Sequence, residues 1–327
     1  MTFTILLALA LLFDFLNGIH DSSNIVATVI FSRALSPFMA MLLAAVAHFV
    51  GPFIFGLAVA TTVGKGLLDI QFLNVNVVLA ALISAILWNL ITWYLGIPSS
   101  STHALLGGLL GAAVLSSGLQ VVQVNGLIKI VLALLISPLL GLAAGFITIR
   151  LTLWAARNAT PRINQFFRRM QIFTLIGLAL SHGTNDAQKT MGIITLGLVL
   201  AGRLDSFVVP PWVIAVSAGA IALGTLLGGW RLIRTLGGKM FRIRPVHGFT
   251  SQVAGSIVIM SAALLGGPVS TTQVMSSAIV GVGAGERINK VRWNILGEMV
   301  TAWLLTIPTT AGMAVVALLL LNKFVTL

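Results

Sequence analysis

The chain has 327 residues, of which 58% are hydrophobic and only 8% charged, and its mean hydropathy is +1.06. A water-soluble domain of this length needs a charged, hydrated surface that such a composition cannot supply, so the solvent is lipid. The net charge of +12 does not indicate nucleic acid, because the basic residues sit in short gaps between apolar runs, and the absence of cysteine excludes disulfides and thiolate metal sites.

A membrane-crossing helix needs about 20 mostly apolar residues. In chain order such runs fall near 2–30, 38–62, 74–96, 126–150, 171–200, 210–230, 246–265 and 293–325. The first lacks the basic start and small-residue cleavage site of a secretory signal and is expected to be the first span. Two shorter Gly-rich runs, 98–118 and 268–285, each open on proline and a hydroxyl cluster and are expected to be spans or half-helices. If both cross, Arg33 and the basic loops 150–169, 231–244 and 287–292 share the cytoplasmic side and hold fourteen of the nineteen Lys and Arg. This arrangement gives five crossings per half and places both termini outside.

Two segments recur in the same order. Gly18-Ile19-His20-Asp21-Ser22-Ser23-Asn24 is echoed by Gly183-Thr184-Asn185-Asp186-Ala187-Gln188-Lys189. Pro98-Ser99-Ser100-Ser101-Thr102-His103 is echoed by Pro268-Val269-Ser270-Thr271-Thr272-Gln273, with Gly111 and Gly281 at the same offset beyond. Homologous halves with an odd number of crossings lie in opposite orientations. The expected fold is therefore an all-α polytopic membrane protein of two inverted-topology repeats, each with about five transmembrane segments and with broken or half-helices at the site. The first repeat covers 1–150, a basic cytoplasmic linker 151–170 and the second repeat 171–327.

Of the seven acidic residues, Asp14, Asp21, Asp186 and Glu298 fall inside apolar runs, where a charge costs at least about 2.5 kcal/mol. Asp21 and Asp186 are repeat partners and are read as site residues; Asp14 and Glu298 have no partner and are read equally as polar helix contacts. Asn24 and Lys189 stand three residues beyond the paired aspartates, on the same helical face, and His20 and Asn185 immediately precede them. A carboxylate repels an anion, so one beside an anionic substrate must be protonated or paired with a cation. That arrangement is a recipe for coupling anion uptake to protons or metal ions. The second motif pair supplies the anion site. A proline at the first helical position leaves the following backbone N–H groups free at a positive helix end. Ser100, Ser101 and Thr102, with Ser270, Thr271 and Thr272, add hydroxyl donors there. His48 and His247 are read as structural, and Ser181, His182 and Asp186 as no more than a superficial echo of a hydrolase triad. No Walker A loop is present, so ATP is not the direct energy source.

On FLNGIHDSSNIVATVI (15–30), IPSSSTHALLGGLLG (97–111), SHGTNDAQKTMG (181–192), GPVSTTQVMSSAIVG (267–281) and WLLTIP (303–308), the chain resembles the Pit inorganic phosphate transporter family. The resemblance implies a non-enzymatic carrier of the cell membrane that moves inorganic phosphate by ion-coupled symport, works in lipid and assembles as a homodimer. It assigns Asn24, Asn185, Ser100, Ser101, Thr102, Ser270, Thr271 and Thr272 to the substrate. Asp21, Asp186, Lys189 and His20 go to the coupling ion or proton, with Asp21 and Asp186 as candidates for any metal. Sodium-coupled members tend to carry Asn-Asp-x-x-Asn in both halves. Here His20 and Lys189 depart from that pattern and resemble bacterial members considered proton-coupled, which implies protons as the coupling ion and phosphate carried as a neutral metal complex. The alternatives are sodium symport, a sulfate permease, an anion channel, and an intramembrane enzyme acting on a phosphorylated lipid.

Overall fold

A computed structural model describes residues 2–239 and 243–324, so Arg242 of the second basic loop lies outside the described residues. Among the described residues the chain folds into twelve α-helices, and the only β-pairing there is an isolated bridge between Leu68 and Val122. Helix α1 (Thr2–Phe31) is followed by α2 (Pro37–Ile54), which starts where Ser36 accepts a hydrogen bond from Met39 N and Pro37 fits the first turn. The apolar run 38–62, expected as one span, is interrupted. Gly56 takes φ 85°, ends α2, and leads into the short α3 (Ala58–Thr61) and a π-turn over Thr62–Gly66. Gln188 stabilises that break: its Oε1 accepts from Val59 N at 2.8 Å and its Nε2 donates to Gly56 O at 2.8 Å.

Next come α4 (Val75–Leu95), capped by Asn74 and ended by Gly96, then α5 (Ser101–Ser117) and α6 (Val124–Ala155). Only residues 156–162 separate α6 from α7 (Ile163–Leu200), so most of the basic 151–170 stretch is helix. Beyond it lie α8 (Pro211–Leu227), the short α9 (Trp230–Arg234), α10 (Pro245–Leu264), α11 (Thr271–Glu286) and α12 (Trp293–Phe324).

Packing follows an exchange of the halves. Helix α1 lies against α8 and α4, as α7 lies against α2 and α10; α5 packs on α12 and α4, as α11 packs on α6 and α10. The short α3 and its π-turn lie on α7, as α9 and the π-turn over Thr235–Lys239 lie on α1. The repeated glycines explain how the contacts become close. Gly111 faces the backbone of Ala311 on α12, and Gly281 faces the backbone of Leu142 on α6, in both places where a Cβ would collide. Helices α1 and α7 run antiparallel, since Leu6 meets Gly197 while Asp21 meets the segment carrying Asp186.

Among the described residues five helices are long and apolar enough to cross a membrane, or six if the pair Pro211–Leu227 and Trp230–Gly237, bent by 61°, is one span. Ten crossings were expected. The difference has physical causes: α5 and α11 have 17 and 16 residues, short of the usual span, and α7 and α10 carry buried polar residues that lower their apolarity. Glu298 also departs from expectation, because it lies on the exposed side of α12 near its start, away from the buried polar groups.

Candidate functional site

The starts of α5 and α11 meet the middles of α1 and α7. Proline does not occupy the first helical position in either motif. Pro98 and Pro268 lie two residues before the caps, outside the helices, and the caps are Ser100 and Ser270. Ser100 Oγ accepts from His103 N at 3.1 Å, and Ser270 Oγ accepts from Gln273 N at 3.3 Å. The caps take the third amide of each helix, so the amides of Ser101 and Thr102, and of Thr271 and Thr272, remain as the helix-end donors without intrahelical acceptors. Their helix dipoles add positive potential in the same place. Thr102 Oγ1 donates to Val269 O at 3.1 Å and ties one start to the other.

The two aspartates are held differently. Asp21 Oδ1 accepts from Asn24 Nδ2 at 2.7 Å and from Thr272 Oγ1 at 2.8 Å. Asn24 Nδ2 also reaches Thr272 Oγ1 at 3.0 Å, and the Asn24 carbonyl oxygen has no partner. Asp186 Oδ1 is paired with the Lys189 ammonium at 2.5 Å, and its Oδ2 accepts from Thr271 Oγ1 at 3.0 Å. Thr271 Oγ1 is also 3.5 Å from Asp21 Oδ2, so one hydroxyl stands between the carboxyl groups. Lys189 has three ammonium hydrogens and three oxygens to receive them: Asp186 Oδ1, Thr102 Oγ1 at 2.6 Å and Val269 O at 3.0 Å.

The sequence-derived residues thus come together with two exceptions. His20 Nε2 lies 3.4 Å from Thr92 Oγ1, which accepts from Ser99, so it sits beside α4 rather than among the carboxylates. Asn185 Nδ2 donates to Gly267 O at 3.1 Å and braces the approach to α11, leaving its own oxygen without a partner. Every candidate residue is at most 4% exposed, so the site is closed on both sides in this structure. Two carboxyl groups and one ammonium meet there.

Sequence reasoning set His182 aside as a superficial triad echo. Its Nδ1 is 3.3 Å from Asp186 Oδ2, outside hydrogen-bond geometry, and its ring stacks on His48 with centroids 5.9 Å apart. The signal was its position four residues before Asp186, on the helical face that also carries Lys189. Ser181, by contrast, donates to Gly177 O and Ser256 O and takes no part. Among the described residues no group of three or more His, Asp or Glu side chains is arranged to hold a metal ion.

The helices and their closed polar centre define a multi-pass membrane transport protein. The sequence settles its lineage: residues 17–314 match the model of the phosphate transporter family, and the chain belongs to that family. It is 44% identical over 308 residues to a "probable low-affinity inorganic phosphate transporter" of Rhizobium meliloti, covering 94% of this chain and 92% of that one. A protein of the same description from Bacillus subtilis is 44% identical over 324 residues, covering 98% and 97%. The fold is similar to a solved sodium-dependent phosphate transporter, with a TM-score of 0.89, 24% identity and 99% of each chain covered.

Proposed function

We propose that this protein is a secondary carrier that takes inorganic phosphate into the cell together with protons. Phosphate would sit between the N-terminal ends of α5 and α11, with Ser101, Thr102, Thr271 and Thr272 giving amide and hydroxyl donors. Asp21 and Asp186 would be the coupling groups of the two halves, and residues 1–150 and 171–327 the inverted repeats whose relative movement opens the site to either side. The antiparallel course of α1 and α7, together with the exchanged packing, supports that reading. The distribution of basic residues supports an orientation with both termini outside. The resemblance adds a homodimer in the cell membrane.

One observation carries the choice of proton. The Lys189 ammonium takes three oxygen ligands from both motif pairs, where a mobile cation would otherwise bind. A fixed positive charge at that point leaves no room for sodium beside Asp186. Sodium symport is the second reading, favoured by the likeness to the sodium-dependent carrier and by the free oxygen of Asn24 beside Asp21. Phosphate is preferred over sulfate because its protonated oxygen can donate to a carboxylate and sulfate has none to give.

Equilibrium binding of radiolabelled phosphate to the purified carrier tests the substrate assignment. Phosphate should bind, excess sulfate should fail to displace it, and Thr271→Val should weaken binding. Displacement by sulfate at equal concentration would move the assignment to a sulfate permease.

A further inference from the structure

Seven residues before Asp21 on α1, about 10 Å along the helix axis, lies a carboxyl group that the proposed site does not use. Asp14 is 0% exposed, and neither of its oxygens has a hydrogen-bond partner among the described residues. Its surroundings repeat the pattern. Asn17 Oδ1, one turn along, and Thr190 Oγ1, on the facing turn of α7 beside the Asp14 carboxyl, are also buried and without partners. Asp14, Asn17, Asp21 and Asn24 follow at spacings of three, four and three residues and so form one continuous polar face of α1. That face runs from the site toward the end of the helix that bears the N-terminus.

The charged groups facing Asp14 are Asp21 on its own helix and Asp186 and Lys189 on α7. Helices α8 and α4, also packed on α1, carry no charged residue over Pro211–Leu227 or Val75–Leu95. The titratable group of α2, His48, is engaged with Thr225 of α8 at 2.8 Å. Lys189 spends all three donors elsewhere and cannot neutralise Asp14. A charged Asp14 with only the Thr190 hydroxyl beside it and no counter-ion is not a tenable state at membrane depth. A divalent ion needs a cage of about six oxygen ligands, and among the described residues no group of three or more His, Asp or Glu side chains is arranged to hold one. A proton suffices, since a protonated Asp14 oxygen has Thr190 Oγ1 as its acceptor.

We propose that Asp14, with Thr190 and Asn17, is a proton-binding site separate from the Asp21–Asp186 centre, loaded and emptied once in each transport cycle. This rests on the proton-symport reading above, and the test separates the two. Carrier reconstituted in liposomes is assayed for phosphate accumulation driven by an inward proton gradient, with a trapped pH dye reporting co-entry of protons. It is also assayed for phosphate counterflow with no gradient. Asp14→Asn should keep counterflow and lose both gradient-driven accumulation and acidification. Asp14→Glu, which retains the carboxyl, should keep accumulation with a displaced pH profile. If the wild type accumulates phosphate on a proton gradient and Asp14→Asn does the same, the Asp14 site is wrong and the symport reading stands. Equal loss of counterflow and accumulation from a monodisperse Asp14→Asn carrier would make Asp14 structural and overturn the proposal. So would an Asp14→Glu pH profile identical to that of the wild type. A wild type that responds to sodium gradients alone removes the symport reading and this site with it.

Discussion

Replacing Lys189 with asparagine tests whether the ammonium stands in for a cation. The side chain is 1% exposed and supplies hydrogen bonds to Asp186 Oδ1, Thr102 Oγ1 and Val269 O. Removing one member of a buried ion pair leaves the other uncompensated and typically costs about 3–5 kcal/mol. In Lys189→Asn the Asp186 carboxylate loses its counter-charge, and the three oxygens that held the ammonium are left around a space. A sodium ion entering that space restores stability by mass action, about 2.7 kcal/mol when its concentration is 100 times its dissociation constant. The assay is thermal melting of purified carrier in sodium chloride and in choline chloride at equal ionic strength. Lys189→Asn should melt well below the wild type in choline and recover much of the loss in sodium, while the wild type melts alike in both. A variant equally unstable in both salts, or a wild type stabilised by sodium as strongly as the variant, would refute the substitution of lysine for a bound cation.

The remaining predictions concern the carboxylates, the helix contacts and the α2 break. Asp21→Asn should remain inserted and monodisperse but lose concentrative phosphate uptake, because the amide cannot exchange a proton; accumulation at the wild-type level would remove Asp21 from the coupling role. Gly281→Leu forces a side chain against the Leu142 backbone and should cost at least the roughly 1–3 kcal/mol typical of overpacking, read as a lower melting temperature. Gln188→Ala leaves the buried Val59 amide and the more exposed Gly56 carbonyl without the Gln188 partner; the buried amide orphan costs about 1–3 kcal/mol, read as a lower melting temperature. A wild-type melting temperature in that variant would show that water replaces the glutamine.

The sequence disclosed the helical membrane class because lipid exposure makes whole helices apolar, and it disclosed the motif pairs because the chain repeats them. Asp21, Asn24, Asp186, Lys189 and the two Ser/Thr clusters were legible as a group for that reason, and they do meet in space. Helix starts were less legible. Proline at the head of each hydroxyl motif suggested the first helical turn, yet the serine two residues later wins the cap because its hydroxyl accepts the third amide, and Pro98 and Pro268 stay outside the helices. The break after α2 was hidden in continuous hydrophobicity: nothing in the local composition of 38–62 says that Gln188, far along the chain, holds it open. Asp14 and His182 were undervalued for a related reason. They lack counterparts in the other half, so repetition could not mark them, and only the antiparallel packing of α1 on α7 brings Thr190 to one and Asp21 to the other.

Phosphate uptake into proteoliposomes, driven separately by an inward proton gradient and an inward sodium gradient, addresses the central claim most directly. Accumulation on the proton gradient alone, undisturbed by excess sulfate, is the expected result. Accumulation on the sodium gradient alone would contradict the coupling assigned through Lys189, and no accumulation on either would contradict symport itself.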